Sequence, residues 1–221
     1  MAPFHPRSEE LPAEFPVFPL PGALLLPRGK LPLNVFEKRY LAMVFDSLAA
    51  GRMFGMIQPD SSVAQTGDEP GLFRVGCLGR LSSFSETDDG RLLITLTGLI
   101  RFSIVGELPL RSGYRRVRGD FSAYTADLEH VRPATDIGRD ALLNALRGYF
   151  ARRHIEANWD AIRGLDDDAL LITLAMACPF EPVEKQALLE APDDAARAMT
   201  LLALLQMGAA SPDGPSGHSV S

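Results

Sequence analysis

Lysine is nearly missing from this sequence. Of 22 basic residues only Lys30, Lys38 and Lys185 are lysine, and the rest are arginine. Acidic residues number 28, so the formal net charge is −6. A chain that held nucleic acid through its overall field would carry the opposite balance. Beside the high alanine content, the arginine bias reads as genome composition rather than an adaptation to phosphate. Cysteine is equally scarce. Cys77 and Cys178 are too few for a disulfide scaffold. They form no CxxC pair and have no histidine nearby, which argues against a metal centre and for buried apolar thiols in a reducing compartment. No apolar run approaches the roughly 20 residues of a bilayer span, and the first ten residues lack the apolar centre of a secretory signal. The expected location is therefore the cytoplasm, with no membrane partner. Walker A, GxGxxG, GxSxG, HExxH and EF-hand patterns are all missing. His5, His130, His154 and His218 are not at ligand spacing to one another. No catalytic residue, cofactor or metal is expected.

What is present is an ordinary globular composition: 221 residues, 46% apolar and 23% charged. That suffices for one large domain or two small ones. The pattern changes near residue 130. Before it, strand-like alternation is broken by glycine and proline. Phe15–Gly22 reads as an extended or edge segment, because its prolines cannot donate to a ladder. Asn34 with Glu37 three residues later reads as a variant capping box opening a helix. Phe36, Tyr40, Val44 and Leu48 make its apolar face, Leu41 and Phe45 widen it, and Gly51 stops it. Strands follow at Met53–Ile57 and Phe73–Ser85, then an Asp89-Gly90 hairpin turn. A return strand carries Leu92, Ile94 and Leu96 on one face, and further strands cover Arg101–Val105 and Tyr114–Tyr124. Short strands with glycine breaks suggest a closed or partly closed antiparallel barrel. After residue 130 the spacing is helical. Asp136, Asp166 and Asp193 are N-caps, Pro182 is a first helical residue, and Leu142, Leu146 and Tyr149 share a face. The expected organisation is an arm at 1–13, a β-barrel at 14–130, a bundle of about four helices at 131–208 and a disordered tail at 209–221.

Four features have a functional reading beside a plainer one. Asp166–Asp168 could be an acidic metal cluster, but helix capping accounts for it better. Arg111, Arg115, Arg116 and Arg118 could contact phosphates, although a solvated strand face with local ion pairs is favoured. Phe36 and Tyr40 could form a binding platform, but aromatics at i, i+4 usually belong to the core. The entry segment 15–27 could accept an extended peptide by strand addition.

The string from Phe15 to Gly22, with Leu24–Pro27 and then Leu31-Pro32-Leu33-Asn34-Val35-Phe36-Glu37-Lys38-Arg39-Tyr40, resembles the N-terminal substrate-recognition domain of the Lon ATP-dependent protease. The pair Gln58-Pro59, the Val75-Gly76-Cys77 strand and Gly98-Leu99-Ile100-Arg101-Phe102 match further family elements. The resemblance covers about residues 14–208. It implies an α+β fold: a PUA-like antiparallel β pseudobarrel with one inserted helix, followed by the helical bundle. It also implies a non-catalytic module that binds unfolded or extended polypeptide, or a protease or chaperone partner. An adaptor role in protein quality control is one expectation. The family's ATPase and Ser–Lys protease modules have no counterpart before Ser221, so a stand-alone bacterial protein, monomeric or a weak homodimer, is expected. Phe18, Leu20, Leu25, Gln58, Pro59, Arg116 and Arg118 are the candidate partner-binding residues. Phe36, Glu37, Arg39, Tyr40, Gly98, Arg101 and Phe102 are read as motif residues that hold the fold, with Phe36 and Tyr40 stapling the helix to the barrel. An RNA-binding PUA-like protein is the alternative, opposed by the acidity. An uncharacterised hydrolase comes third, because no nucleophile and base are paired.

Overall fold

The computed structural model describes residues 6–62, 70–129 and 136–210. The outer part of the expected arm, the tail from 211, the centre of the loop at 60–71, the junction near 130, and His5, His130 and His218 lie outside the described residues. The chain divides into two compact units. One joins the residues up to 133 with Ala175–Glu190, and the other joins 134–174 with the residues from Ala191 onward.

Among the described residues the first unit holds eight strands: β1 Glu14–Pro19, β2 Lys30–Val35, β3 Met53–Ile57, β4 Pro59–Asp60, β5 Gly71–Leu72, β6 Val75–Glu86, β7 Leu92–Arg111 and β8 Tyr114–Asp120. Helix α1, Lys38–Ala49, lies between β2 and β3 in the chain. The main sheet has the order β2-β7-β6-β3-β1-β8, and β7 also pairs with β8. That extra pairing closes a five-strand ring, with β2 added outside it. Gly98 does not end a strand as the sequence suggests. β7 runs unbroken through it for 20 residues, pairing β2 and β6 with its first part and β8 with its last.

β1 is an interior strand, flanked by β8 and, in parallel, by β3. This corrects the edge-strand reading of the entry segment. The prolines are tolerated because β1 changes partner along its length. Glu14–Val17 pair with β8 and Val17–Pro19 with β3, so Pro16 and Pro19 each face a ladder on one side only. Inside the ring Phe15, Val17, Ile57, Leu78, Ile100, Phe102 and Val117 are buried together. Phe15 and Phe102 meet edge to face at 4.8 Å. A Cβ on Gly76 would stand 2.5 Å from the Phe102 ring and one on Gly119 2.7 Å from Phe15, so these glycines make room for the aromatic pair.

Helix α1 starts later than expected. Asn34 lies in β2 opposite Leu93, and Glu37 occupies the cap position. The buried face is Tyr40, Met43, Val44 and Ser47, while Phe36 and Phe45 are exposed. β8 ends at Asp120, and Ser122–Leu128 is a kinked 3₁₀ segment rather than the predicted continuation to Tyr124.

After residue 136 come α2 Arg139–Arg152, α3 Trp159–Arg163, α4 Asp167–Ala177, α5 Pro182–Glu190 and α6 Asp194–Ala210. α5 belongs to the sheet unit, where the sequence pattern assigned it to the bundle. In the helical unit the Asp166 carboxylate accepts from Ala169 N–H at 2.8 Å and Asp193 from Ala196 N–H at 2.8 Å, both as N-caps. Asp136 instead accepts from Gly138 N–H, and the left-handed Gly138 takes the cap position of α2. Asp167 pairs with Arg139 at 2.7 Å, so the acidic cluster is accounted for by a cap and an ion pair. Leu142, Leu146 and Tyr149 of α2 are fully buried. Helices α2 and α6 cross closely, with Gly208 leaving no space for a Cβ beside the Tyr149 ring.

Candidate functional site

The chain from Phe18 to Pro21, strand β2 and the start of α1 enclose a cleft of about 380 Å³. Leu20, Pro21, Pro32, Leu33, Phe36 and Tyr40 are among the residues that line it. Phe18 stacks on Tyr40 with ring centroids 4.1 Å apart, and both are buried. The Arg39 guanidinium lies 4.6 Å over the Tyr40 ring and its Nε donates to the Glu37 carboxylate at 3.1 Å. The Glu37 backbone oxygen accepts from both Tyr40 and Leu41 N–H at 2.9 Å. Of the motif residues here, Tyr40 packs inward. Phe36 is 62% exposed and does not staple the helix; it stands at the rim of the cleft with Arg91 5.7 Å over its ring.

β2 is the free edge of the sheet, but its chemistry resists strand addition. Gly98 donates to Gly29 O at 2.8 Å and accepts from Arg28 N–H at 2.8 Å. Backbone bonding alternates from there along an antiparallel ladder. Leu31, Leu33 and Val35 therefore turn their amide groups to β7, while Lys30, Pro32 and Asn34 turn theirs outward. Pro32 has no N–H to offer and interrupts that edge at its centre. The cleft is suited to take side chains rather than to extend the sheet.

Several candidate residues prove to be internal. Leu25 is buried and packs near Gly98, where a Cβ would fall 2.0 Å from the Leu26 carbonyl oxygen. Gln58 is 2% exposed and is not available to a partner. Its amide donates to Pro182 O at 2.8 Å and its oxygen accepts from Gly22 N–H at 3.2 Å. Lys185 is also buried. Its ammonium donates to Gly22 O at 2.7 Å and Met176 O at 3.2 Å, and burial lowers its pKa. With Gln186 donating to Val75 O at 3.0 Å, these side chains fix α5 to the sheet. Pro59 lines a second hollow of about 610 Å³ with Pro21, Pro70, Phe73, Pro182 and Val183.

Arg101 is buried against Asp127, Nε to Oδ2 2.8 Å and Nη2 to Oδ1 2.9 Å. Burial works against its charge, but the hydrogen bond and charge of Asp127 outweigh it and its pKa is raised. Phe102 is fully buried. The arginines of β8 are engaged in ion pairs. Arg115 grips Glu107 at 2.7 Å, Arg118 meets Glu14 at 2.8 Å and Arg116 reaches the same carboxylate at 3.6 Å. Asp127, Lys185 and Gln186 carried no local sequence signal, since their partners are distant in the chain. Pro32 and Leu33 carried one in the run Leu31-Pro32-Leu33 of β2.

The family model of the ATP-dependent protease La (LON) substrate-binding domain matches residues 14–207. The chain belongs to this family. Lon protease 2 of Myxococcus xanthus is 25% identical over 207 residues, which is 90% of this chain and 24% of that protein. The chain thus spans about a quarter of the curated relatives it matches. Among solved structures, the Lon N-terminal domain protein from Xanthomonas campestris is 24% identical with a TM-score of 0.55, covering 86% of this chain and 97% of that one. The N-terminal domain of Mycobacterium avium complex Lon protease is 17% identical with a TM-score of 0.57, covering 87% and 97%. As a Lon substrate-binding domain the chain has the α+β fold with C-terminal helices. Among the described residues no helix is long and apolar enough to cross a membrane, and no group of three or more His, Cys, Asp or Glu could hold a metal ion.

Proposed function

We propose that this Lon-type domain is a non-catalytic module that binds unfolded or extended polypeptide by seating apolar side chains in the cleft between Leu20 and Phe36. The observation that carries this is the exposed Phe36 ring beside a proline-walled cleft. Large exposed aromatics beside a concavity mark partner sites. The blunted β2 edge favours side-chain capture over strand addition. Phe18 and Tyr40, stacked and buried, support the cleft from below, and Gly98, Arg101 and Phe102 hold the fold. An adaptor role in protein quality control follows from this reading, with a protease or chaperone as the second partner. Cys77 and Cys178, both buried and in no disulfide, suit a reducing cytoplasm. A non-catalytic role is supported by Lys185, whose ammonium is committed to carbonyl oxygens and offers a serine no base. RNA binding is disfavoured because Arg115, Arg116 and Arg118 already face carboxylates.

The test is binding of a permanently unfolded polypeptide, reduced and alkylated lactalbumin, measured by fluorescence anisotropy. F36D and L20D should each weaken binding more than tenfold, with circular dichroism unchanged. R118E, remote from the cleft, should leave it intact. Equal binding by F36D and the wild type, or no binding by the wild type, overturns the proposal.

A further inference from the structure

Phe36 and Tyr40 line the cleft, and each ring has a guanidinium over it. Arg39 belongs to Tyr40 and Arg91 to Phe36. Pairing of β2 with β7 brings Arg91 there. Val35 stands opposite Leu92, so Phe36, which follows one, and Arg91, which precedes the other, meet at the end of that ladder. Glu86 is also opposite Leu92, which makes residues 87–91 the tip of the β6–β7 hairpin. The tip holds its own shape. Thr87 N–H donates to Arg91 O at 3.0 Å and Gly90 N–H to Thr87 O at 2.9 Å. The Thr87 hydroxyl donates to one Asp89 oxygen, and Arg91 Nε lies 2.8 Å from the other. With side chains 49% and 58% exposed, an ion pair of this kind adds little to stability. What the guanidinium changes is the ring beside it.

We propose that Arg91 is a specificity-determining residue of the cleft, which makes Phe36 a seat for uncharged apolar side chains and turns away Lys and Arg; this rests on the cleft being a polypeptide site. A bare aromatic face attracts a cation through its quadrupole. On a chain of net charge −6 the long-range field adds to that attraction. An uncovered ring at this rim would therefore collect basic segments whatever their apolar content. Arg91 already occupies the ring. A second cation finds the quadrupole satisfied and meets a like charge across it. Tyr40 offers that cation no second place, since Phe18 and Arg39 already lie on its ring. A leucine or phenylalanine side chain loses nothing by comparison, because its gain comes from leaving water. Phe36 is 62% exposed, so the ring keeps surface for such a side chain beside the guanidinium. The occupant is an extended polypeptide whose anchoring side chain is apolar and uncharged.

Two fluorescein-labelled peptides, followed by anisotropy on the full chain, test this. One is a Gly-Ser peptide with a Leu-Leu-Leu centre, and the other has Leu-Lys-Leu in its place. The wild type should favour the leucine peptide. In R91M the ratio of the two affinities should fall about two- to fivefold, the cation–π attraction that Phe36 regains. R91K keeps the cation and should hold the wild-type ratio. A change that only loosened the hairpin would weaken both peptides together and leave the ratio unmoved. The contact itself is read without any peptide. With 4-fluorophenylalanine placed at position 36, the fluorine resonance should shift on R91M and stay near its wild-type position in R91K. A wild type that binds the leucine peptide while R91M shows an unchanged ratio, or a fluorine resonance that R91M does not move, refutes the role of Arg91 and leaves the cleft standing. A wild type that binds neither peptide refutes both.

Discussion

Removing the carboxylate of Asp127 should cost the sheet unit a large part of its stability. Arg101 and Asp127 have side chains only 4% and 2% exposed. Asp127 accepts from Arg101 Nε at 2.8 Å, from Nη2 at 2.9 Å and from the Arg101 backbone N–H at 3.1 Å. In D127A the guanidinium still faces the Leu189 carbonyl at 3.3 Å and the Tyr124 ring at 4.8 Å, but its charge has lost its counter-ion. Breaking a buried pair in this way costs about 3–5 kcal/mol, against the ~5–15 kcal/mol that holds a typical domain together. D127N, which keeps the shape and one acceptor, should cost less. The double variant R101M/D127L should recover much of the D127A loss, because two apolar groups leave no charge uncompensated. The assay must watch the correct unit. Trp159, the sole tryptophan, lies in α3 of the helical unit, so its fluorescence reports the wrong half. Hydrogen exchange of the Ile100–Phe102 amides, followed in increasing urea, reports the sheet. A D127A loss below about 1 kcal/mol in those amides, or a double variant no more stable than D127A, would falsify the argument that the pair is held by mutual neutralisation in a dry site.

Three further outcomes follow from the geometry. G98A should be among the most damaging single-methyl additions, costing at least the ~1–3 kcal/mol of an overpacked site. Its Cβ would lie 2.0 Å from a backbone oxygen that cannot swing aside, and thermal unfolding measures the loss. Tyr114 is buried and donates to Asp46 Oδ2 at 2.7 Å; burial, then that bond, push its pKa from 10.0 to about 12. The neutral phenol is the favoured form in the folded chain, so its contribution is intact below pH 10 and fades between pH 10 and about 12. The stability gap between wild type and Y114F should narrow across that window, and a gap that widens there contradicts the assignment. K185M keeps the apolar stem but leaves Gly22 O and Met176 O without their donor, which should cost about 1–3 kcal/mol; urea unfolding of an otherwise unchanged protein should show it.

Local chemistry made much of this architecture readable in the sequence. Asp166, Asp193 and Pro182 announce helix starts because capping and φ restriction act within a single turn. Leu92, Ile94 and Leu96 announce a one-sided strand because the pleat repeats every two residues. Readings failed where a distant segment decides. Phe36 has helical spacing to Tyr40, yet it precedes the helix because Asn34 and Val35 are claimed by β7. Gln58 was read as a contact for a partner, and its partner is α5, more than 120 positions away. The prolines of β1 looked like an edge because nothing nearby shows that the strand changes neighbours at Val17. The cleft was half legible: Leu20 could be named, whereas Pro32 and Leu33 needed the pairing of β2 to show which way they turn.

The return of α5 to the sheet unit bears on the order in which the molecule is made. During synthesis the strands emerge first, and β1 can be clasped by β8 once about a hundred residues have followed it. The sheet unit then waits. The segment of the helical unit from 134 to 174 emerges before Lys185 and Gln186. Until those two arrive, Gly22 and the side chain of Gln58 have no helix to bind. Contacts so far apart in sequence slow folding and lengthen the life of open intermediates. The interval between the end of β8 and the arrival of α5 is therefore when the nascent chain is most exposed to aggregation, and a ribosome pause that falls within it would prolong that exposure.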